Sequence, residues 1–279
     1  MRDIADTVVL ITGSTDGLGR AVAARLAGDG ATVLIHGRDA EKLASTAHQL
    51  REATGSERVR TYLADFSSLQ AVRAMAHEVE AENHRLHVLV NNAGVGSGKP
   101  AGTTREESDD GYELRFAVNH LAAFVLTMRL LPLLRRSAPS RVVNVASAGQ
   151  YPIDFADVML EREYDGARAY RQSKLAQIMF GFELAGRVPA REVTVNSLHP
   201  ATFMPTKIVL EQHGHSVDSI DEGVEATLRL AVGEDVDGVT GRYFNRQADA
   251  QADEQAYDVE ARRRLWELSA ELTGESLPV

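Results

Sequence analysis

Six short, nearly uninterrupted apolar runs recur along the chain, each separated from the next by a longer stretch of helical period. The runs are Thr7 to Thr12, Thr32 to His36, Val59 to Leu63, Val88 to Asn91, Arg141 to Ser147 and Val193 to His199, with a weaker seventh from Arg242 to Asn245. Continuous apolarity, rather than strict alternation, marks strands covered on both faces. The intervening segments are Gly17 to Ala27, Ala40 to Ala53, Leu69 to Glu82, Asp110 to Leu134, Ala167 to Arg187 and Asp221 to Val232. Each is long enough for a right-handed crossover, so the order predicts one doubly wound α/β domain with a parallel sheet of about seven strands. Tyr257 to Leu272, with Val259, Leu265, Trp266, Leu268 and Leu272 on one face, predicts a last helix.

Charge and composition remove several function classes. Forty acidic against thirty basic residues give a net charge of -10, which disfavours nucleic acid or anionic lipid as a partner. The absence of cysteine excludes disulfides and thiolate chemistry, and the nine histidines form no metal-ligand spacing. Leu121 to Leu134 is interrupted by Thr127, Arg129 and Pro132, which reads as a buried helix rather than a membrane span. The acidic start, Met1-Arg2-Asp3-Ile4-Ala5-Asp6, lacks the basic region of a secretory signal, so a cytoplasmic location is expected. Only four basic residues are lysine, namely Lys42, Lys99, Lys174 and Lys207. This Arg-rich, Ala-rich usage suits a GC-rich genome and a reductase of bacterial secondary metabolism.

Thr12-Gly13-Ser14-Thr15-Asp16-Gly17-Leu18-Gly19 follows the first strand and opens the first helix. Such a turn lets backbone N–H groups and the helix N-terminus face a pyrophosphate. The bland alternative is close strand–helix packing with no ligand. The spacing resembles the Thr-Gly-x-x-x-Gly-x-Gly turn of the short-chain dehydrogenase/reductase family. Asn91-Asn92-Ala93-Gly94 matches that family's motif after the fourth strand, and Asp65, with Phe66 beside it, matches its adenine-binding acid. The bland alternative for Asp65 is a cap on the next helix. The resemblance implies a Rossmann fold, with a cofactor half over about 1–147 and a catalytic and substrate half over about 148–279.

Tyr170 and Lys174 stand four apart in a helical segment and so share one face. An ammonium near a phenol favours the tyrosinate and lowers its pKa toward the range of a general acid/base. The pair resembles the family's Tyr-x-x-x-Lys, and Ser147 and Asn119 fall at the other two positions of its catalytic tetrad. The resemblance implies that Tyr170 protonates a developing alkoxide, Ser147 stabilises it, Lys174 holds the nicotinamide ribose, and a kink at Asn119 holds a water for Lys174. His120 reads as a core or interface residue.

Leu34-Ile35-His36-Gly37-Arg38 offers a cation where an NAD-selective relative would place an acid, which points to NADP(H) over NAD(H). Arg20 is a second candidate cation, and Asp16 is an acid where many NADP-preferring relatives are basic. The 23 residues from Ser147 to Tyr170, together with Asp110-Gly111-Tyr112-Glu113, Ser173-Lys174-Leu175-Ala176, Leu198-His199-Pro200 and Arg264-Leu265-Trp266-Glu267, resemble the retinol-dehydrogenase-like and protochlorophyllide-reductase-like branch. That branch implies a lipophilic or polycyclic ketone or alcohol. The substrate wall is expected from Gln150, Tyr151, Phe155, Phe203, Met204 and Ile208, beside Ser147 and Tyr170. Pro200 and either Thr202 or Thr206 are expected at the nicotinamide, with Ala201 replacing the usual glycine. A homo-dimer or homo-tetramer through the two long central helices is the family's habit. A non-catalytic NADP(H)-sensing regulator and a sugar-nucleotide epimerase or dehydratase are the competing classes.

Overall fold

The computed structural model describes residues 3–97, 104–206, 209–210 and 214–277. Its strands are β1 (Val8–Ile11), β2 (Thr32–Gly37), β3 (Val59–Leu63), β4 (Val88–Asn91), β5 (Ser140–Val145), β6 (Val193–His199), β7 (Tyr243–Asn245) and β8 (Ala248–Ala250). They form one sheet in the order β3-β2-β1-β4-β5-β6-β7-β8, parallel throughout except for β8, which runs antiparallel to β7. The antiparallel β8 adds an eighth strand to the seven that the sequence pattern predicts. Its residues Ala-Asp-Ala carry no β-branched or aromatic signal.

The helices are α1 (Gly17–Gly28), α2 (Ala40–Thr54), α3 (Leu69–Glu82), α4 (Leu114–Arg136), α5 (Gly166–Arg187), α6 (Ile220–Val232) and α7 (Val259–Thr273). Successive strand residues point to opposite layers. Leu10, Leu34 and Leu89 enter the core beneath α3, α4, α5 and α7, while Val9, Ile11, Val33, Ile35, Val88 and Val90 enter the one beneath α1, α2 and α6. β3 departs from the expected two-sided burial: Val59 and Tyr62 are buried but Arg60, Thr61 and Leu63 are exposed, because β3 is the sheet's edge.

Local signals set the helix ends. Asp39 caps α2 by accepting the Lys42 N–H at 2.8 Å, and left-handed Gly55 ends it. Ser219 and Glu222 form a capping box at the start of α6. α4 starts at Leu114 rather than at Asp110, because Gly111 turns the chain at φ +81° and the Asp110 carboxylate instead accepts the Leu69 N–H of α3 at 2.8 Å. Within α4, Ala117–Leu121 is a π-helical turn in which the Ala122 N–H reaches the Ala117 carbonyl, five residues back. The apolar window of this helix is 89% buried in the protein.

In α7, Trp266 packs edge-on against Phe124 of α4 and is stacked 6.0 Å from Phe180 of α5, whereas Val259 is exposed rather than on the buried face. With α7 in place, every residue of α5 from Gln172 to Gly181 is buried. His120 is a core residue, fully buried and hydrogen-bonded through Nε2 to Ser269 of α7 at 2.8 Å. Because β1 lies between β2 and β4, the chain reverses direction across the sheet there, opening a crevice at the strands' carboxyl ends.

Candidate active site

The crevice floor is a welded joint between the glycine turn and the loop after β4. Thr12 Oγ1 donates to the Val90 carbonyl at 3.3 Å and accepts the N–H groups of Asn92 and Ala93, each at 2.9 Å. Asn92 Nδ2 returns hydrogen bonds to the carbonyls of Thr12 (2.8 Å) and Gly13 (3.1 Å). Gly13 sits at φ +63°, and a Cβ there would lie 2.8 Å from the Ala93 backbone. A Cβ on Gly19 would strike the Gly13 carbonyl and come within 2.5 Å of Asn92 Nδ2. Both glycines are therefore required by close approach, and Gly13 by conformation as well.

His36, for which the sequence offered no role, is the hidden support of this turn. The Gly13 N–H donates to its Nδ1 at 2.9 Å, so the ring proton sits on Nε2 and goes to the Ala64 carbonyl at 3.0 Å. Burial pushes its pKa down to about 4, keeping it neutral and able to accept. Phe66 stacks on it with ring centres 4.2 Å apart, so the Phe66 ring is buried rather than offered to an adenine. Ser14 also turns inward: its hydroxyl donates to the Ile11 carbonyl and accepts the His36 N–H. Leu18 buries its side chain beneath α6. Thr15 lies over Gly37, and Asp65 is exposed at the end of β3, where it accepts the Ser67 N–H. Ser68, not Asp65, caps α3.

Around the mouth of the turn, Arg38 is exposed and makes no hydrogen bond or ion pair among the described residues. Asp39 and Glu41, its neighbours in the sequence, do not pair with it. Asp16 accepts the Gly17 N–H and pairs with Lys42 Nζ at 2.7 Å, and the Lys42 hydrogen bond holds its carboxyl below the usual carboxylate range. Arg20 is hydrogen-bonded to Gln49.

Ser147, Tyr170, Lys174 and Asn119 converge at the carboxyl ends of β4 and β5. Ser147, two residues past β5, accepts the Gly149 N–H at 3.0 Å, and its hydroxyl lies beside the Tyr170 phenol. Lys174 is buried and donates to the Val145 carbonyl at 2.8 Å, with Gln177 Oε1 at 3.4 Å. Asn119 occupies the π-helical turn, where its Oδ1 accepts the Val95 N–H at 2.8 Å and its Nδ2 donates to Ser173 at 2.9 Å. Gly94 separates Asn119 from Lys174: a Cβ on it would lie 3.0 Å from Asn119 Oδ1 and 3.6 Å from Lys174 Nζ.

The electrostatics differ from the sequence expectation. Burial pushes the Tyr170 phenol above its ordinary pKa, and the neighbouring Ser147 hydroxyl opposes this only in part. Lys174 does not bring it down. Its Nζ lies 6.0 Å from the phenol ring centre and is committed to Val145, and burial lowers its own pKa to about 8. Dehydration of each charge sets the direction of both shifts.

The expected substrate residues divide. Tyr151 is exposed beneath the Arg168 guanidinium, and Phe203 is exposed at a left-handed φ of +46°. Met204 lies in the core against Leu18 and Gly223. Gln150 is fully engaged in the backbone, donating to the Ser147 carbonyl at 3.0 Å and accepting the Asp253 N–H at 2.7 Å. Phe155 is half-buried under Arg264, and Ile208 lies outside the described residues. Pro200 is buried just past β6 and Ala201 packs in the core. The Thr202 N–H is bound to Asp218 and its hydroxyl to His199, whereas Thr206 reaches toward Gly17 of the glycine turn. Of the two threonines, Thr206 faces the crevice.

A second cluster that the sequence left without a role ties the segment ahead of α4 to the segment ahead of α5. Tyr164 donates to Glu113 at 3.0 Å, and buried Glu113 also caps α4 through the Phe116 N–H at 2.7 Å. Arg115 Nε donates to the Gly96 carbonyl at 3.1 Å, and Arg115 pairs with Glu106 at 2.8 Å.

Residues 7–214 match the family model for short chain dehydrogenases. Mouse retinol dehydrogenase 13 is 36% identical over 291 residues, covering 97% of this chain and 85% of its own. Among solved structures, an uncharacterised protein from Mycobacterium paratuberculosis superposes with a TM-score of 0.81 at 28% identity, covering 100% of this chain and 97% of that one. A short chain dehydrogenase from Shigella flexneri complexed with NADP does so with a TM-score of 0.71 at 26% identity, covering 88% of this chain and 100% of that one.

Proposed function

Given that this chain belongs to the short chain dehydrogenase family, in its retinol-dehydrogenase-like branch, we propose that it is an NADP(H)-dependent reductase of lipophilic or polycyclic ketones and aldehydes. The observation that carries this reading is the convergence of the Ser147 hydroxyl, the Tyr170 phenol and buried Lys174 at the carboxyl edge of a sheet whose glycine turn is held open by close backbone contacts. A binding protein would need the turn but not the proton-donating pair.

The residues present fit a dinucleotide phosphate. The Gly13 and Gly19 positions admit no side chain, and Arg38 is an unengaged cation at the end of β2. In this reading the glycine turn and the N-terminus of α1 hold the pyrophosphate, Arg38 holds the 2'-phosphate, and Lys174 holds the nicotinamide ribose. When bound, NADPH supplies the hydride. The chain's own part is proton placement. Because burial raises the Tyr170 pKa, the phenol is neutral at pH 7 and able to donate its proton to a carbonyl oxygen as negative charge develops there. Ser147 donates a hydrogen bond to the same oxygen. Lys174 is charged below about pH 8, with its ammonium 6.0 Å from the centre of the Tyr170 ring. A neutral resting phenol suits reduction better than alcohol oxidation, which requires a proton acceptor.

The exposed aromatics Tyr151 and Phe203 support an apolar substrate, as does retinol in the name of the related mouse protein. The test is NADPH oxidation at 340 nm with a panel running from short hydroxy-acid precursors to decalones, steroid ketones and retinaldehyde. Turnover rising with substrate lipophilicity is expected. Turnover confined to small charged carbonyls would overturn the assignment.

A further inference from the structure

We propose that the turn Asp253–Tyr257, ahead of α7, is a specificity clamp on the substrate-side loop, with Gln255 as its positioning residue. This deepens the reductase reading and rests on it. The loop leaves Ser147 and returns to Tyr170 through α5, so its height above the crevice sets the room for a substrate. It is gripped from two sides. On the α5 side, Gln172 Oε1 accepts the Asp154 N–H at 3.2 Å and Gln172 Nε2 donates to the Val158 carbonyl at 2.9 Å. On the other side, Gln255 Oε1 accepts the Ile153 N–H at 2.6 Å and Gln255 Nε2 donates to the Ile153 carbonyl at 3.1 Å.

That reciprocal pair is what a neighbouring strand would offer, supplied by one side-chain amide. Gln255 is itself fixed, its N–H donating to Asp253 Oδ1 at 3.0 Å. The same turn reaches the catalytic serine: the Asp253 N–H binds Gln150, and Gln150 Nε2 and Tyr243 Oη both donate to the Ser147 carbonyl. Arg264 of α7 completes the grip, its guanidinium 4.7 Å from the centre of the Phe155 ring and its Nη2 donating to the Phe155 carbonyl at 3.3 Å. Gln255 touches none of the four tetrad residues, so it acts by holding the loop back against the C-terminal segment and keeping the crevice wide. All of these C-terminal groups lie beyond residue 214, where the match to the general family model stops.

The experiment compares wild type, Gln255→Leu, Gln255→Glu and Arg264→Ala on one bulky and one small ketone, with NADPH affinity and amide hydrogen exchange measured alongside. Gln255→Leu is expected to lower kcat/KM for the bulky ketone at least tenfold and for the small one less than threefold. NADPH affinity stays within twofold, and the Ile153 amide loses protection. Gln255→Glu, which keeps the acceptor for the Ile153 N–H, recovers part of the loss. Arg264→Ala gives a smaller change of the same sign and serves if Gln255→Leu does not fold. Turnover with an unmoved bulky-to-small ratio despite a deprotected Ile153 amide overturns the clamp alone, as does a tenfold loss of NADPH affinity. A wild type that reduces neither ketone overturns the reductase reading and the clamp with it.

Discussion

Replacing Arg38 with alanine separates the two nicotinamide cofactors. Arg38 is exposed and makes no hydrogen bond or ion pair among the described residues, so its removal breaks nothing inside the protein and the loss falls on the ligand. Two unit charges about 4 Å apart interact by roughly 1 kcal/mol in water and about 4 kcal/mol near a protein surface. Exposure puts Arg38 toward the lower end of that range. NADPH is therefore expected to bind at least about tenfold more weakly to Arg38→Ala, or roughly 1.4 kcal/mol, by titration calorimetry, with NADH unchanged within about twofold. Raising the salt from 0.1 to 1 M shortens the screening length from about 10 to 3 Å and should narrow the gap between wild type and variant. The Asp16–Lys42 pair supplies a second arm. Asp16 is ionised and cancels the nearby ammonium. Asp16→Asn keeps a good helix cap while freeing Lys42, so NADPH affinity should rise about threefold. Equal weakening of both cofactors by Arg38→Ala, or weaker NADPH binding in Asp16→Asn, would refute the reasoning.

Tyr170→Phe removes the proton donor and should lower kcat by about a hundredfold or more with NADPH affinity unchanged, read by stopped flow and calorimetry. The kcat of reduction should fall as pH rises through about 8, because the lowered Lys174 pKa leaves the lysine charged below that value and neutral above it; a flat profile from pH 6 to 10 would contradict this. Tyr164→Phe strips a hydrogen bond from buried Glu113, which should cost about 1–3 kcal/mol and lower the melting temperature by a few degrees.

The sheet was legible because both faces are covered, so Val33, Leu34 and Ile35 had to be consecutive apolar residues whichever layer each entered. The tetrad was legible as fixed spacings on elements the sheet positions. What escaped depended on which way one side chain turns. Ser14 and Thr15 are adjacent in the same turn, yet Ser14 faces inward to β2 and Thr15 lies over Gly37. Met204 and Phe203 are equally apolar in the sequence, but Met204 fills the space beside Gly223 while Phe203 is exposed. The balance at Tyr170 was invisible for a related reason: spacing gives the distance along a helix, whereas the pKa depends on how much water the fold removes. Gln255 has no motif, since its partner lies 102 residues away and is a backbone amide that any residue could present.

The buried stretch of α5 from Gln172 to Gly181 also bears on how the protein is made. Lys174 and the residues packed around it lie on a helix that is sheathed only once Trp266 and its neighbours dock on Phe124 and Phe180. As the chain leaves the ribosome, everything through β6 can be present while that flank still faces water, so α7 is a late-arriving seal. Ribosome-bound chains ending before residue 259 should engage chaperones through this flank, and those carrying residues through 275 outside the exit tunnel should let go.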